Sequence, residues 1–143
     1  MKREWLFAAT LTVLAVIYAI YFTGRFKTPT IQIFHTYRNI HPRRQNEGMI
    51  PSLIFGLNRQ LRLTEIKVVP RAEYRTNVYT LALWHLVSDS NSVPVKTFYY
   101  GQFIRGLKPA ISGILPEPLE PDVTYELIVT AGKSKGEHDF HIK

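Results

Sequence analysis

Residues 119–131 read LEPDVTYELIVTA, a turn-forming segment that leads into a stretch of alternating apolar and polar side chains. Tyr125, Leu127 and Val129 share one parity, as expected of a strand that turns one face toward a core. The alternation extends from Val123 to Ala131. This stretch therefore predicts a β-strand, and with it a domain built from sheets.

Other short runs of β-forming residues recur between turn residues on either side of this strand. Tyr79–Val87 is apolar on both faces and carries Trp84, so we expect it to be a central core strand. About seven or eight strands in this length are typical of a two-sheet sandwich. The other expected strands are Thr30–Tyr37, Leu53–Phe55, Leu61–Val69 with a bulge or break near Thr64, Val95–Tyr100, a short one at 101–106, and Glu137–Ile142.

The segment that leads into the Val123–Ala131 strand also carries a more specific pattern. Leu119, Pro121 and Tyr125 match the Leu-x-Pro-x-x-x-Tyr approach to strand F of fibronectin type III domains, which the chain resembles here. That resemblance implies that the Tyr125 hydroxyl closes a tyrosine corner, and that Trp84 is a buried core tryptophan. We therefore expect residues 30–143 to form an all-β, immunoglobulin- or fibronectin III-like two-sheet sandwich.

The N-terminal part of the chain differs in character, because Trp5–Phe22 contains no charged residue. At 1.5 Å per residue this run forms about 27 Å of helix, close to the hydrocarbon thickness of a bilayer. A cleaved signal peptide is the alternative, but its apolar region would be shorter and would end in small residues. Aromatic and basic residues bracket the span, as they do at membrane interfaces. The expected interface residues are Trp5, Tyr18, Tyr21, Arg25 and Lys27.

These patterns divide the chain into an N-terminal tail (1–4), a transmembrane helix (5–23), a juxtamembrane linker (24–29) and the sandwich (30–143). Ala8, Thr12, Ala15 and Ala19 follow helical spacing and give the helix a small-residue face that allows close packing in lipid. The alternative is that alanine is simply common in membrane anchors and that these residues have no packing role. The span holds no ionisable side chain, so we expect no proton relay and no haem or pigment ligand within it.

The orientation follows from the ends of the helix. A short N-terminal tail before a long apolar run resembles an uncleaved signal anchor, which leaves the C-terminal domain outside. A literal count of flanking cations would instead place the domain in the cytoplasm, but large domains translocate regardless of charge. We expect a single-pass protein of the bacterial inner membrane with a periplasmic β domain.

The formal net charge is +7, and the excess lies mainly in residues 24–75, next to the helix. Basic juxtamembrane residues are attracted to anionic headgroups by about 1 kcal/mol each. Arg38, Arg43 and Arg44 are therefore candidates for contacts with headgroups or with a partner. We expect no nucleic-acid binding, which would need a basic face with base-stacking aromatics on a soluble module.

The sequence offers little chemistry. The absence of cysteine excludes disulfides, thiolate metal sites, Fe–S clusters and covalent haem attachment. His138 and His141 lie three apart on a predicted strand, so they face opposite sides and do not chelate together. We expect His85 to be a hydrogen-bonded core histidine, and the Ser88–Ser92 turn has no neighbouring histidine to activate a nucleophile. We predict no catalytic, cofactor-binding or metal-binding residue, and we expect that the protein is not an enzyme.

The remaining candidates are interface residues. Tyr99, Phe103 and Arg105 lie beside glycine-bounded turns and belong to the residue types that anchor protein interfaces. The alternative is that aromatic residues here fill the core, which we expect for Phe98 and Tyr100.

Trp84–Pro94 (WHLVSDSNSVP) looks like segments of bacterial membrane-anchored proteins, and the chain resembles the extra single-helix subunits of bacterial photosynthetic reaction-centre and light-harvesting complexes. This implies a photosynthetic or respiratory assembly as the host. We predict a non-catalytic accessory subunit whose partners are the bilayer, anionic headgroups and other membrane-protein subunits. The alternatives are a free-standing envelope adhesion or ligand-binding module and a membrane-anchored hydrolase.

Overall fold

A computed structural model describes residues 2–22, 28–40, 50–88 and 92–142. It contains an N-terminal helix followed by a mostly β two-sheet sandwich. The elements are α1 (Lys2–Phe22), β1 (Ile33–Ile40), β2 (Ile50–Arg62), β3 (Glu65–Pro70), α2 (Arg71–Thr76), β4 (Trp84–Val87), β5 (Pro94–Tyr99), β6 (Lys108–Pro109), β7 (Thr124–Ala131) and β8 (Ser134–His141).

The helix α1 is long and apolar enough to cross a membrane, with a mean hydropathy of 2.0 over its most apolar window. None of its described residues is buried. An apolar helix of this length has no core to enter within the chain, so its surface is available to lipid or to other helices.

The strands form two antiparallel sheets. One has the order β1-β2-β5, and the other has the order β6-β4-β3-β7-β8. Between them lies a core of aromatic and branched side chains. Phe55 contacts Phe98 and Phe140 with ring centroids 5.6 and 5.1 Å apart, and Trp84 lies 6.2 Å from Phe98. The alternation of apolar and polar residues along the strands places this core on the facing sides of the sheets.

The strand predicted from its alternating pattern is confirmed as β7, and Tyr125, Leu127 and Val129 are buried in the core. The Tyr125 hydroxyl accepts a hydrogen bond of 2.8 Å from the backbone N–H of Glu120, which lies in the turn before the strand. Asp122 adopts a φ of 62° in that turn. This is the tyrosine-corner contact that the sequence resemblance implied.

The break expected near Thr64 is the point where the chain passes from one sheet to the other. Leu61 belongs to β2 and Ile66 belongs to β3, in the second sheet. Thr64 donates from its backbone N–H to the Thr130 carbonyl at 2.8 Å, which holds the crossing against β7. The short strand expected at Leu53–Phe55 is the middle of the much longer β2.

Three expectations for the sandwich are wrong. Only Trp84–Val87 of the predicted central strand is β-structure, and β4 lies beside the central β3 rather than at the centre. Residues 101–106 form turns instead of a strand. The domain is also not all-β, because the short helix α2 follows β3 directly. Pro70 is the last residue of β3, and it has no backbone N–H with which to continue the strand pairing.

Candidate docking groove

Three of the predicted contact residues lie where the chain leaves β5. Tyr99 is exposed at the end of that strand, and Phe103 and Arg105 are exposed on the connection that follows. The side chain of Phe103 is 82% exposed, although its neighbour Ile104 is buried. A single exposed phenylalanine is common on protein surfaces, so the significance of Phe103 depends on the apolar residues that surround it.

An open groove of about 310 Å³ lies on the β4–β6 edge of the sandwich. Its walls come from three connections, residues 79–83, 101–104 and 111–116, with β4 between them. We call it the edge groove. The large apolar side chains exposed around it are Tyr79, Leu81, Phe103, Ile111, Ile114 and Leu115.

The wall formed by residues 101–104 is fixed by a turn that requires glycine. Gly101 has a φ of 77°, a conformation that disfavours any residue with a Cβ. The Oε1 atom of Gln102 accepts a hydrogen bond of 2.8 Å from the Tyr99 N–H, so this side chain covers the end of β5. Ile104 then anchors the connection in the core and leaves Phe103 projecting from it.

The other two walls are held to each other. Leu83 donates from its N–H to Val68 at 2.9 Å, and its carbonyl accepts from the Glu117 N–H at 2.9 Å. The Tyr100 hydroxyl donates to the Glu117 carbonyl at 2.7 Å. Burial, and then the nearby Glu117 carboxylate and Tyr125, raise the pKa of Tyr100, which keeps this hydroxyl a neutral donor. The groove is therefore preformed by backbone contacts rather than assembled by its exposed side chains.

Lys67 is the one residue with a formal charge among the described residues that line the groove. Among the described residues that line it there is no acid, whereas Lys67 and His85 both contribute to the lining. The His85 Nε2 atom lies 2.8 Å from a carboxylate oxygen of Glu65, and the Lys67 ammonium lies 5.4 Å from the centre of the Tyr74 ring. His85 is half-buried and hydrogen-bonded, as the sequence predicted, but it lies at the groove rather than in the core.

A hydrolase would need a nucleophile beside this histidine. Thr80 is the one described lining residue with an aliphatic hydroxyl, and it donates to the Asn77 carbonyl at 2.6 Å. Its hydroxyl is therefore committed to the turn before β4 rather than to His85. The described residues of the groove offer an apolar surface with one lysine beside it, and they contain no arrangement for acyl transfer.

Two of the other described histidines, His35 and His138, form a pair. The Nδ1 atom of His35 and the Nε2 atom of His138 lie 2.7 Å apart across the edge between β1 and β8. His141 lies near this pair and contributes to its electrostatics. Within residues 2–22, 28–40, 50–88 and 92–142, no group of three or more His, Asp or Glu side chains is placed to hold a metal ion.

The predicted helix-packing residues lie on an exposed surface of α1. The Thr12 hydroxyl donates to the Ala8 carbonyl at 2.9 Å, so it is satisfied within the helix. Ala15 and Ala19 continue the same face by their helical spacing. This face therefore presents small side chains and no unsatisfied hydroxyl to its surroundings.

The predicted aromatic interface residues of α1 are also exposed. Trp5 lies near one end of the helix, and Tyr18 and Tyr21 lie near the other. The Tyr18 ring stacks on Phe22 with centroids 4.5 Å apart. Arg25 and Lys27 lie outside the residues that the structure describes.

Of the predicted headgroup contacts, Arg38 is exposed on β1, away from the edge groove. Arg43 and Arg44 lie in the part of the chain that the structure does not describe. The structure thus joins only Phe103 of the predicted contacts to the groove.

Sequence reasoning missed most of the groove. The apolar character of Tyr79–Val87 predicts that Tyr79 and Leu81 belong to a core strand, yet the Tyr79 side chain is 93% exposed. Ile111, Ile114 and Leu115 lie in a segment interrupted by proline and glycine, where apolar residues have no strand to follow. The sequence did contain one sign of the groove: apolar residues that lie between turn residues and follow neither helical nor strand periodicity.

No family model, no curated protein and no solved structure matches this chain.

Proposed function

We propose that this chain is a non-catalytic, membrane-anchored accessory subunit that docks on a larger membrane-protein complex. The edge groove carries the proposal. Soluble proteins rarely expose a contiguous group of large apolar side chains, and such groups mark interaction sites. Phe103, Tyr79 and Leu115 project around a preformed concave surface, as anchor residues of interfaces do.

The helix supplies the second part of the proposal. The exposed apolar surface of α1 is suited to a bilayer, and its small-residue face allows a partner helix to approach closely. We place the protein in the bacterial inner membrane, with the β domain on the periplasmic side and the host complex a photosynthetic or respiratory assembly. The resemblance of Trp84–Pro94 to segments of bacterial membrane-anchored proteins supports the location in a bacterial membrane.

We also assign the sandwich to the immunoglobulin- and fibronectin III-like class. The Tyr125–Glu120 contact supports the assignment. So does the strand order, in which the first, second and fifth strands form one sheet and the third and seventh lie together in the other. The fourth strand pairs with the third rather than joining the first sheet, which differs from constant-type immunoglobulin domains.

The test is affinity purification of the tagged full-length protein from its native membranes in mild detergent, with quantitative mass spectrometry. Phe103→Asp combined with Leu115→Asp places two charges in the edge groove, and burying unpaired charges is strongly unfavourable. We expect recovery of the partner to fall by about tenfold or more, because ~1.4 kcal/mol already lowers affinity tenfold.

The control is Thr97→Asp, which adds a single negative charge to an exposed position of β5 outside the groove. It should leave recovery of the partner unchanged. A purely monomeric protein with no co-purifying subunit would refute the accessory role. Equal recovery with the control and with the double variant would refute docking through the groove.

A ligand-binding module of the envelope is the second candidate, because about 310 Å³ is near the lower limit for a small-molecule site. Such a module should bind an apolar ligand equally well with and without residues 1–27, since the groove belongs to the sandwich alone. Binding that needs α1 would favour the accessory subunit.

A further inference from the structure

The first and last strands of the sandwich meet along one side, opposite the edge groove. Ile31 donates from its N–H to the Lys135 carbonyl at 3.1 Å, and the Tyr37 hydroxyl donates to the His141 carbonyl. Between these contacts a Cβ at Gly136 would lie 2.5 Å from the Ile31 carbonyl oxygen, so the two chains are in close contact. We call this the β1–β8 seam, and it joins the two sheets.

The central contact of the seam is a pair of imidazoles. His35 Nδ1 and His138 Nε2 are 2.7 Å apart, a distance that requires a hydrogen bond between them. Both rings are half-buried, and Phe140 packs beside His35 with ring centroids 6.1 Å apart. The hydrogen bond needs one N–H and one lone pair, which a neutral pair of histidines supplies.

The protonation state decides whether this contact can exist. A single added proton leaves one of the two facing nitrogens with a lone pair, so the hydrogen bond persists. A second proton places N–H groups on both facing nitrogens and leaves no acceptor. It also places two positive charges in contact, which repel each other at this distance.

We propose that the β1–β8 seam is pH-sensitive: addition of a second proton to the His35–His138 pair breaks its hydrogen bond and releases β1 from β8. β1 is the first strand after α1, so its release frees the part of the sandwich that adjoins the helix. The proposal rests on the seam alone and does not depend on the function assigned to the edge groove.

The surroundings of the pair favour this response. Burial lowers the pKa of His35, and the nearby His141 lowers it further. Burial also lowers the pKa of His138, as does His35, whereas Asp139 raises it. The influence of Asp139 is reduced by its ion pair with Arg71 on α2, at 2.5 Å.

The other ionisable groups around the seam come from β1, β7, β8 and α2. Burial raises the pKa of Tyr37, so this hydroxyl stays a neutral donor through the acid range. Burial, and then Glu137 and Asp139, raise the pKa of Glu126 on β7. Arg75 on α2 lies with Glu126 and Glu137 around a shallow surface next to His138.

The sign of the effect follows from proton linkage. Both histidines have lowered pKa values in the closed seam and pKa values of about 6.5 when the strand is released, so release takes up protons. The stabilisation by the seam is fully present above about pH 6.5. It is lost as the pH falls through the lowered pKa values of the folded protein.

The test is amide hydrogen exchange of the full-length protein in lipid nanodiscs from about pH 7.5 to about pH 5. After correction for the intrinsic exchange rate, we expect opening of β1 to increase between about tenfold and about a hundredfold per pH unit below about pH 6.5, because release takes up between one and two protons. His35→Gln combined with His138→Gln keeps polar side chains that do not titrate and should abolish the increase. His85→Gln is the matched control and should retain it.

A second measurement uses the unaltered protein, in case the double variant does not fold. Histidine side-chain NMR should show His35 and His138 titrating below 6.5, in the same pH range in which β1 loses protection. The proposal is overturned if both rings titrate at or above 6.5. It is also overturned if the opening of β1 is independent of pH, or if the double variant keeps the same pH dependence.

Discussion

At the scale of single residues, the Tyr125 hydroxyl joins β7 to the turn that precedes it. Tyr125→Phe removes the acceptor of the Glu120 N–H and leaves the ring in place. We expect the free energy of unfolding to fall by about 1–2 kcal/mol, since a polar group in a partly buried turn loses its partner. Chemical denaturation of the full-length protein in detergent measures the change.

Tyr79→Phe is the matched control for this substitution. Tyr79 is almost fully exposed, and the described residues show no hydrogen bond to its hydroxyl. The control should leave the free energy of unfolding within about 0.5 kcal/mol of the unaltered protein. If the two substitutions had equal effects, the Tyr125 corner would not be a stabilising contact.

At the scale of elements, the β1–β8 seam depends on the absence of a side chain at one position. Gly136→Ala would place a methyl group 2.5 Å from the Ile31 carbonyl oxygen and 2.8 Å from its Cβ. The obstruction includes backbone, so the strand must move. We expect a destabilisation of about 1–3 kcal/mol, as for other overpacked sites, together with faster amide exchange in β1.

The neighbouring substitution Lys135→Ala serves as the comparison. It removes a surface ion pair with Glu137, and such pairs contribute between 0 and about 1 kcal/mol. It should leave amide exchange in β1 unchanged, because the Lys135 carbonyl that accepts from Ile31 is retained. Unchanged protection of β1 in Gly136→Ala would contradict the close contact at the seam.

The elements also differ in how far their sequences reveal them. In β7 the side chains of Tyr125, Leu127 and Val129 on one face are all buried, so the alternation is clear in the sequence, although Ile128 on the other face is buried as well. β4 is short and is preceded by exposed apolar residues, so Tyr79–Val87 has the composition of a buried strand without its position. The short α2 lacks a side-chain cap and has no buried residue, which leaves no periodic signal to detect.

At the scale of the whole molecule, the helix and the sandwich have separate sources of stability. No described residue of α1 is buried, and the core cluster consists entirely of residues from Ile31 onward. A variant lacking residues 1–27 should therefore keep the β-sheet circular dichroism and the unfolding midpoint of the sandwich, while losing recovery in the membrane fraction. Loss of the β signal in this variant would show that the two parts stabilise each other.

The sequence by itself determined the apolar N-terminal helix, the two-sheet character of the remainder and the Tyr125 corner. Each of these depends on a feature that is local or periodic in the sequence. The helix follows from a run without charged residues, the sheets from alternating apolar and polar residues, and the corner from a hydrogen bond between residues five positions apart. The sequence also predicts Phe103 to be an interface residue, because glycine-bounded turns flank it, and its side chain is exposed in the structure.

Only the tertiary structure decided which distant residues meet. The edge groove joins three connections, and its residues 79–83 and 111–116 are about 30 positions apart in the chain, too far for any local pattern to relate them. The His35–His138 contact joins residues 103 positions apart, because the first and last strands lie side by side. Strand order and sheet packing create both sites. They bring together side chains that are distant in the chain, and the local sequence around each one does not indicate which residue it will contact.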